Sequence, residues 1–213
     1  MSASTRQQIL ATAERLFGEK GYHNVSMRAI SSALGISVGN LTYYFPRKAD
    51  LANALLEEEL GQITIPIRPG LDALDDYLRR MLSSLQEHAR LFSDPMVFLS
   101  IPELADGHRN RILRLRSNLL AMLQAQLQAG LLAAPSGASF DSLTDLLMYS
   151  HLGWQQQLTL FPVHPEIALE YAMQLQWEAL RPWLTDAGLA QFHQLSGSCS
   201  NKVAFGEERS GME

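Results

Sequence analysis

Hydrogen-bonding side chains are concentrated between residues 26 and 45, in the segment SMRAISSALGISVGNLTYYF. Arg28 supplies a guanidinium, Asn40 an amide, and Tyr43 and Tyr44 phenolic hydroxyls. A guanidinium or a hydroxyl can donate to a phosphate oxygen, and an asparagine amide can pair with adenine through two hydrogen bonds. Thr42 adds a methyl group that can contact the methyl of thymine. Together these residue types favour a surface that contacts a nucleic acid.

Two short helices are predicted to position these side chains. Ser26 can cap the first helix, whose apolar residues fall three and four positions apart, and Gly35 follows where a left-handed residue ends a helix. Ile36 offers an apolar contact in the turn, and Ser37 can cap a second helix that ends at Phe45. Two helices joined by such a turn form a helix-turn-helix. The apolar face of the first helix consists of Ala29, Ile30, Ala33 and Leu34.

The second of these helices is the candidate for insertion into a major groove, because the N-terminal half of a recognition helix meets the base edges there. In that half, Val38 offers only apolar contact, and Gly39 lets the backbone approach closely. Lys48 begins the next helix and can bind a phosphate together with the amide donors of that helix. One of the two tyrosines can instead pack beneath the helix with Phe45. The predicted DNA contacts are Ser26, Arg28, Ser37, Val38, Gly39, Asn40, Thr42, Tyr43, Tyr44 and Lys48.

Charge is divided unevenly along the 213 residues. Residues 1–50 contain six Lys or Arg against three Asp or Glu, whereas residues 51–213 contain eleven against nineteen. The first part therefore carries a net charge of +3 and the second a net charge of −8. Only the first part is expected to attract phosphate, and the second is expected to repel it. This asymmetry predicts two tasks in one chain.

Composition and motifs exclude several other classes of protein. Apolar residues make up 46% and charged residues 18% of the sequence, which is the balance of a globular protein. The single Cys199 excludes an intrachain disulfide and a cysteine zinc cluster, and no HExxH, GxSxG, P-loop or GxGxxG motif occurs. We therefore predict no enzyme, no metal and no cofactor. No apolar run suits a signal peptide or a membrane helix, so a membrane is not an expected partner and the cytoplasm is the expected location.

Apolar periodicity predicts an all-α chain. The predicted helices cover residues 4–20, 26–34, 37–45, 48–62, 71–92, a short segment from Asp94, 107–132, 140–160 and 165–184. Residues 134–137 read as a loop. In the 107–132 helix, four arginines do not share one side and favour a solvated, salt-bridged surface. They are Arg109, Arg111, Arg114 and Arg116.

The last two predicted helices are apolar on more than one side. A surface helix needs one apolar stripe, so a second stripe requires a second partner, either more core or another copy of this chain. Gly153 would allow two helices to approach closely there. We predict a four-helix interface with two helices from each copy, against the alternative of ordinary core. The predicted interface residues are Leu143, Leu147, Leu158, Ala168, Ala172, Leu175 and Ala179.

Beyond residue 60, aromatic and sulfur-containing side chains recur at potential interior positions, with a few polar ones among them. A mostly apolar cavity with a few polar groups is typical of a small-molecule site. Each of these residues, taken singly, can instead fill the core. The candidate pocket residues are Phe92, Met96, Phe98, Met122, Met148, His151, Trp154, Gln155 and Trp177.

The segment from residue 6 to about residue 55 resembles the TetR family of transcriptional regulators. The resemblance rests on ILATAERLFGEKGYHNVS, on GIS at 35–37, and on LTYYF followed by PRK at 41–48. Val38 departs from the family pattern, because such regulators often have a lysine at this position. That departure removes a phosphate or base contact.

The resemblance implies a helix-turn-helix DNA-binding domain over residues 1–50 and a helical effector-binding and dimerisation domain over 51–195. The remaining residues 196–213 are expected to form a poorly ordered tail. A homodimer would bind a palindromic operator in double-stranded DNA, most simply as a repressor that a small apolar or aromatic effector releases. The alternative is a helical protein-interaction module whose helix-turn-helix packs on protein and does not bind DNA.

Overall fold

The computed structural model describes residues 4–62, 66–91, 101–160 and 165–198. Over these residues the chain forms nine α-helices and one 3₁₀ helix, which confirms the all-α prediction. The helices are α1 Thr5–Lys20, α2 Met27–Leu34, α3 Val38–Tyr44, α4 Lys48–Gln62, α5 Leu71–Leu91, α6 Pro102–Gln128, α7 Phe140–Leu160, α8 Pro165–Leu180, the 3₁₀ helix Arg181–Trp183 and α9 Asp186–Ser198.

The chain divides into two compact units. The first consists of Met1–Thr64 and Ser83–Leu115, and the second of Ile65–Leu82 and Arg116–Glu213. The first unit therefore contains α1 to α4 and the N-terminal half of α6. It continues past residue 50, and the functional boundary expected at that residue stays a prediction.

The first unit is built around the apolar stripe of α1. Ile9, Ala13 and Phe17 are fully buried in the same core cluster as Ile30 of α2 and Leu41 of α3. Because α2 has eight residues and α3 has seven, neither would be a stable helix alone. Packing against the longer α1 therefore holds both helices in place.

Buried polar groups organise the second unit. Gln126 of α6 is fully buried; its Oε1 accepts from the amide of Gly70 at 2.7 Å, and its Nε2 donates to the carbonyl of Arg68 at 3.0 Å. The indole of Trp177 on α8 donates to Asp75 of α5 at 2.8 Å. These bonds tie the segment before α5, and α5 itself, to α6 and α8. Buried polar groups that find partners in this way specify one packing arrangement.

The structure corrects both ends of the helix predicted over 107–132. The helix α6 begins five residues earlier, at Pro102, because a proline in the first helical position has no amide to satisfy. It ends at Gln128, since Gly130 adopts φ +71° and the amide of Leu131 bonds back to the carbonyl of Gln126 at 2.9 Å.

The end of the chain also differs from the prediction. The helix α8 ends at Leu180, and the 3₁₀ helix follows it where a continued α-helix was expected. The helix α9 was not predicted, and it takes in the first three residues assigned to the tail. The Thr185 hydroxyl caps it by accepting from the amide of Gly188 at 3.1 Å. The short helix predicted from Asp94, and the tail from residue 199, lie outside the described residues.

No helix in the part of the chain that the structure describes is long and apolar enough to cross a membrane. Within the same residues, no group of three or more His, Cys, Asp or Glu side chains is arranged to hold a metal ion.

Candidate nucleic-acid interface

The turn between α2 and α3 has the form that the sequence predicts. Gly35 lies in the left-handed region at φ +70° and ψ +25°, which glycine adopts more readily than other residues. Its amide donates to the carbonyl of Ser32 at 3.2 Å, and the amide of Ile36 donates to the carbonyl of Ser31 at 3.0 Å. This pair of bonds is a Schellman motif, which ends α2 and sets the direction of α3.

Serine caps begin both helices of the motif. The Ser26 hydroxyl accepts from the amide of Ala29, and the Ser37 hydroxyl accepts from the amide of Asn40, each at 3.1 Å. Each hydroxyl keeps its own proton, which it can donate to a phosphate oxygen. Capping is therefore compatible with the DNA contacts predicted for these two serines.

The helix α3 has a buried side and an exposed side. Leu41 is fully buried, and Phe45 beyond the end of the helix is almost so. Tyr43 is 81% exposed and Tyr44 39%, with their rings in a T-shaped contact at 5.3 Å. Neither tyrosine is buried beneath the helix with Phe45. An aromatic ring as exposed as that of Tyr43 adds little to the stability of its own unit and is available to a partner.

The positions of α3 that are predicted to contact bases are accessible. Asn40 is exposed, and its side-chain amide makes no hydrogen bond within the described residues. The Thr42 hydroxyl donates to the carbonyl of Gly39 at 3.2 Å, so its methyl group is what remains for an outside contact. Val38 is 38% exposed. A methyl group added to Gly39 would meet only the Ser37 hydroxyl, at 3.9 Å.

Ion pairs reduce the positive charge that residues 1–50 can offer. The paired cations are Arg6 with Glu58, Arg15 with Glu19, and Arg47 with both Asp50 and Glu103. The hydrogen bond from Arg47 holds the pKa of the Asp50 carboxyl below its usual range. Arg28 is exposed, and no ion pair of its side chain is found in the described part of the chain. Among the predicted contacts, Arg28 therefore supplies the most accessible charge.

The Lys48 side chain contacts the turn between α1 and α2. Its Nζ donates to the carbonyl oxygens of Tyr22 at 2.8 Å and Val25 at 2.9 Å, and it lies 4.2 Å from the centre of the Tyr22 ring. Burial lowers the pKa of the Lys48 ammonium, and burial also raises the pKa of Tyr22 to about 12. The ammonium thus makes most of its contacts within its own unit, and the phosphate contact predicted for this side chain stays a prediction.

Sequence reasoning missed a polar connection between α4 and α6 within the first unit. Asn53 of α4 donates to a backbone carbonyl of α6 at 3.0 Å and accepts from Arg111 at 3.2 Å. A methyl group on Gly107 would clash with the Asn53 side chain, which would have to move away from α6. Arg111 is only 2% exposed, contrary to the solvated surface predicted for it. The sequence does contain a signal for the burial of Arg111, because this residue lies on the same side of α6 as the buried Leu104 and Leu115.

The candidate pocket residues are only partly described. Met122, Met148 and Trp177 are buried in the second unit, as core or pocket residues would be. The indole ring of Trp177 also packs on Phe192 of α9, with 4.9 Å between ring centres. The pocket stays a prediction. Of the others, the side chains of His151, Trp154 and Gln155, and the whole of Phe92, Met96 and Phe98, lie outside what is described.

The predicted interface residues of α7 and α8 differ in their exposure, and the interface itself stays a prediction. Four of its residues are buried within their own chain and cannot reach a second copy: Leu143, Leu147, Ala168 and Ala172. Leu175 is 41% exposed, Ala179 is half-buried, and the Leu158 side chain is not described. Among the described side chains of α7, the large apolar ones that are exposed are Leu146 at 53% and Tyr149 at 71%.

Comparison with known proteins gives the same picture of the N-terminal part. Residues 9–55 match the model of the bacterial regulatory proteins of the tetR family. The HTH-type transcriptional regulator UidR of Escherichia coli (strain K12) is 31% identical over 108 residues, which cover 50% of this chain and 53% of UidR. The chain thus spans about half the length of the curated relatives it matches.

Two solved structures extend the similarity to the fold of most of the chain. A TetR-family transcriptional regulator from Marinobacter aquaeolei VT8 has a TM-score of 0.74 at 21% identity, covering 92% of this chain and 98% of its own. A TetR transcription regulator from Haloarcula marismortui has a TM-score of 0.69 at 21% identity, covering 84% and 98%. Residues 9–55 thus form an N-terminal domain of the tetR family of bacterial regulatory proteins, and most of the chain has the fold of these two regulators.

Proposed function

We propose that this protein is a DNA-binding transcriptional regulator in which α3 reads base edges in the major groove. The observation that carries the proposal is the exposed edge of α3, where Asn40 and Tyr43 project from a helix that the buried Leu41 anchors. A major groove of B-DNA accommodates one α-helix, and each base pair presents a distinct pattern of donors and acceptors there. The match of residues 9–55 to the tetR family and the similarity to the regulator UidR support this function.

The contacts divide into two kinds. Asn40 and the methyl group of Thr42 would contact bases, with Val38 adding apolar contact. The Arg28 guanidinium and the hydroxyls around it would contact phosphates and fix the register of α3 on the duplex. The hydroxyls that would serve in this way belong to Ser26, Ser37, Tyr43 and Tyr44.

Replacement of the base-reading amide tests this division. In a binding-site selection, Asn40→Ala should relax the preference at one or two base pairs per half-site, each by about 1–3 kcal/mol, because the paired hydrogen bonds to a base edge are lost. Asn118→Ala, an equally exposed position on α6, serves as the control and should leave every position unchanged. An unaltered sequence preference in Asn40→Ala would show that another residue reads the bases.

A substitution at Gly39 distinguishes an effect on stability from an effect on DNA affinity. Gly39→Ala has open space in the unbound protein, and alanine favours an α-helix over glycine by about 1 kcal/mol. The melting temperature should therefore stay equal or rise, while DNA affinity should fall because the methyl group enters the gap between backbone and base edges. Thermal melting and a fluorescence titration with operator DNA give the two values. Unchanged affinity would place the backbone of α3 away from the groove.

We infer further that two copies of the chain bind a palindromic operator as a homodimer. A single α3 makes few contacts, whereas a twofold dimer presents two recognition helices about 34–36 Å apart, one DNA turn. The exposed apolar side chains of α7 and α8 support this assembly, because Leu146, Tyr149 and Leu175 form no part of the core of their own unit. These three residues replace the buried ones as the proposed dimer contacts.

A negative charge introduced among the exposed apolar side chains of α7 tests the proposed dimer interface. Leu146→Asp should raise the dimer dissociation constant at least tenfold, because the carboxylate would be desolvated without a partner. Leu113→Asp, on α6, is the matched control, since Leu113 is 56% exposed and Leu146 53%. Sedimentation equilibrium measures both variants, and circular dichroism verifies that they fold. A wild-type monomer, or equal dissociation constants for the two variants, would contradict the proposed interface.

A small apolar or aromatic effector would bind the second unit and favour a dimer that does not fit the operator. The buried Met122, Met148 and Trp177 support an apolar site. Gln176 of α8 adds a polar group: it is almost fully buried, and its Oε1 has no hydrogen-bond partner among the described residues. A buried acceptor without a donor is unfavourable, so an effector that donates a hydrogen bond to Gln176 would fit best.

A compound screen tests this part of the proposal. Apolar compounds that carry one donor should raise the melting temperature, because a ligand that binds the folded state stabilises it. The same compounds should weaken operator binding. Gln176→Met should reduce both effects for donor-bearing compounds and spare purely apolar ones. If compounds that stabilise the protein leave its DNA affinity unchanged, the second unit does not regulate α3.

The competing function is a protein-interaction module. It is favoured by the ion pairs of Arg6, Arg15 and Arg47, which leave less positive charge for DNA than the sequence suggests. A gel shift with the DNA upstream of its own gene separates the two functions. Retardation that survives an excess of unrelated DNA supports the regulator, and none even at low salt supports the module.

A further inference from the structure

We propose that Lys48 is a positioning residue of the DNA-binding surface and not a ligand of phosphate. Its side chain joins the beginning of α4 to the turn between α1 and α2, and so holds the two ends of the helix-turn-helix at a fixed spacing. The consequence for DNA affinity rests on the proposed function, whereas the geometry of Lys48 does not.

Most of the hydrogen-bonding capacity of the Lys48 ammonium is used within its own unit. A lysine ammonium has three N–H donors and no acceptor. Two of the donors are taken by the carbonyls of Tyr22 and Val25, at 2.8 and 2.9 Å. The Tyr22 ring lies against the same ammonium, 4.2 Å from Nζ, at a distance that suits a cation–π contact. These contacts hold the ammonium against the turn between α1 and α2 and leave at most one N–H donor for a phosphate.

The carbonyls of Tyr22 and Val25 lie in the turn that directly precedes α2, and Lys48 follows α3 in the chain. Val25 directly precedes Ser26, the cap of α2, and Lys48 is the first residue of α4, three residues beyond Phe45. The bond between them therefore closes a ring that contains both helices of the motif. Arg28 and the first amides of α2 and α4 face phosphates in the proposed complex, so this ring sets the spacing of the phosphate contacts.

The anchor at the other end of the bond is rigid. Val25 and Tyr22 are both buried, and the Tyr22 ring packs on Phe17 of α1 with 5.2 Å between ring centres. The carbonyl of Tyr22 also accepts from the amide of Val25 at 3.3 Å, which closes the turn itself. Lys48 thus bonds to a fixed part of the first unit.

Chemical labelling of the DNA-free protein tests the geometry without any variant. The chain contains three lysines, Lys20, Lys48 and Lys202, and Lys20 is exposed. In reductive methylation with formaldehyde, followed by peptide mass spectrometry, Lys48 should react at least tenfold more slowly than Lys20. Equal rates would show an ammonium open to solvent and would overturn the proposal.

The salt dependence of DNA binding tests the consequence of the Lys48 contacts for DNA affinity. Each phosphate contact contributes about 0.9 to the slope of log K against log salt concentration on duplex DNA. Lys48→Met should weaken binding about tenfold at every salt concentration, leave the slope unchanged and lower the melting temperature. Arg28→Ala is the contrasting variant, because it should reduce the slope by about 0.9 at an unchanged melting temperature.

Lys48→Arg tests whether the shape of the ammonium matters as well as its charge. It keeps the charge, but its planar guanidinium cannot replace a compact ammonium between two carbonyls and a ring. As a positioning residue, Lys48 should not be rescued by arginine. Affinity and melting temperature restored by Lys48→Arg, or a slope reduced by Lys48→Met as by Arg28→Ala, would overturn the proposal.

Failure of the proposed function can be told apart from failure of this inference. A wild-type protein that binds no DNA would remove the regulator function, while the labelling rates and the melting temperatures would still decide the role of Lys48. If Lys48→Met does not fold, the labelling of the wild-type protein decides alone.

Discussion

The burial of Leu41 is the contact on which the proposed DNA-binding surface depends. It is the one buried residue of the seven-residue α3, and it enters the core cluster that includes Phe17 of α1 and Ile30 of α2. Full burial of a leucine side chain contributes about 1.5–3 kcal/mol, and a helix of this length is not stable in water without such a contact. Because one residue anchors α3, its other positions can carry side chains chosen for an outside partner.

Apolar burial holds α3 in the unit, and polar contacts define where its ends lie. The left-handed Gly35 fixes the angle at which α3 begins, and the Lys48 ammonium fixes the start of α4 beyond its end. Further along α4, Asn53 connects to α6 through Arg111. Hydrogen bonds depend on direction more strongly than apolar contacts do, so these groups can set the geometry of a surface whose stability comes from the core.

Local signals made much of this arrangement predictable from the sequence. The caps at Ser26 and Ser37 and the glycine turn depend on neighbours within a few residues, and the structure has them as predicted. The start of α6 at Pro102 was missed, because proline ends one helix and begins another equally well and local signals do not tell the two apart. The long apolar periodicity of α7 predicted a helix but could not tell which of its two apolar sides faces the core.

The remaining differences depend on residues distant in the chain. A lysine at the start of a helix favours phosphate binding, yet Lys48 lies near two carbonyls more than twenty residues earlier. The register of α6 places Arg111 in the buried row of Leu104 and Leu115, but its hydrogen-bond partner Asn53 lies on another helix and no periodicity within α6 reveals it. In the same way, Leu146 and Tyr149 are exposed only because Leu143 and Leu147 pack inward.

A dimethyl sulfate footprint on the selected operator tests the central claim, because this reagent methylates guanine at N7 in the major groove and adenine at N3 in the minor groove. Insertion of α3 should protect guanine N7 in two patches centred about 10 base pairs apart and leave adenine N3 between them reactive. Protection of adenine N3 alone, or reactivity unchanged by bound protein, would contradict the account.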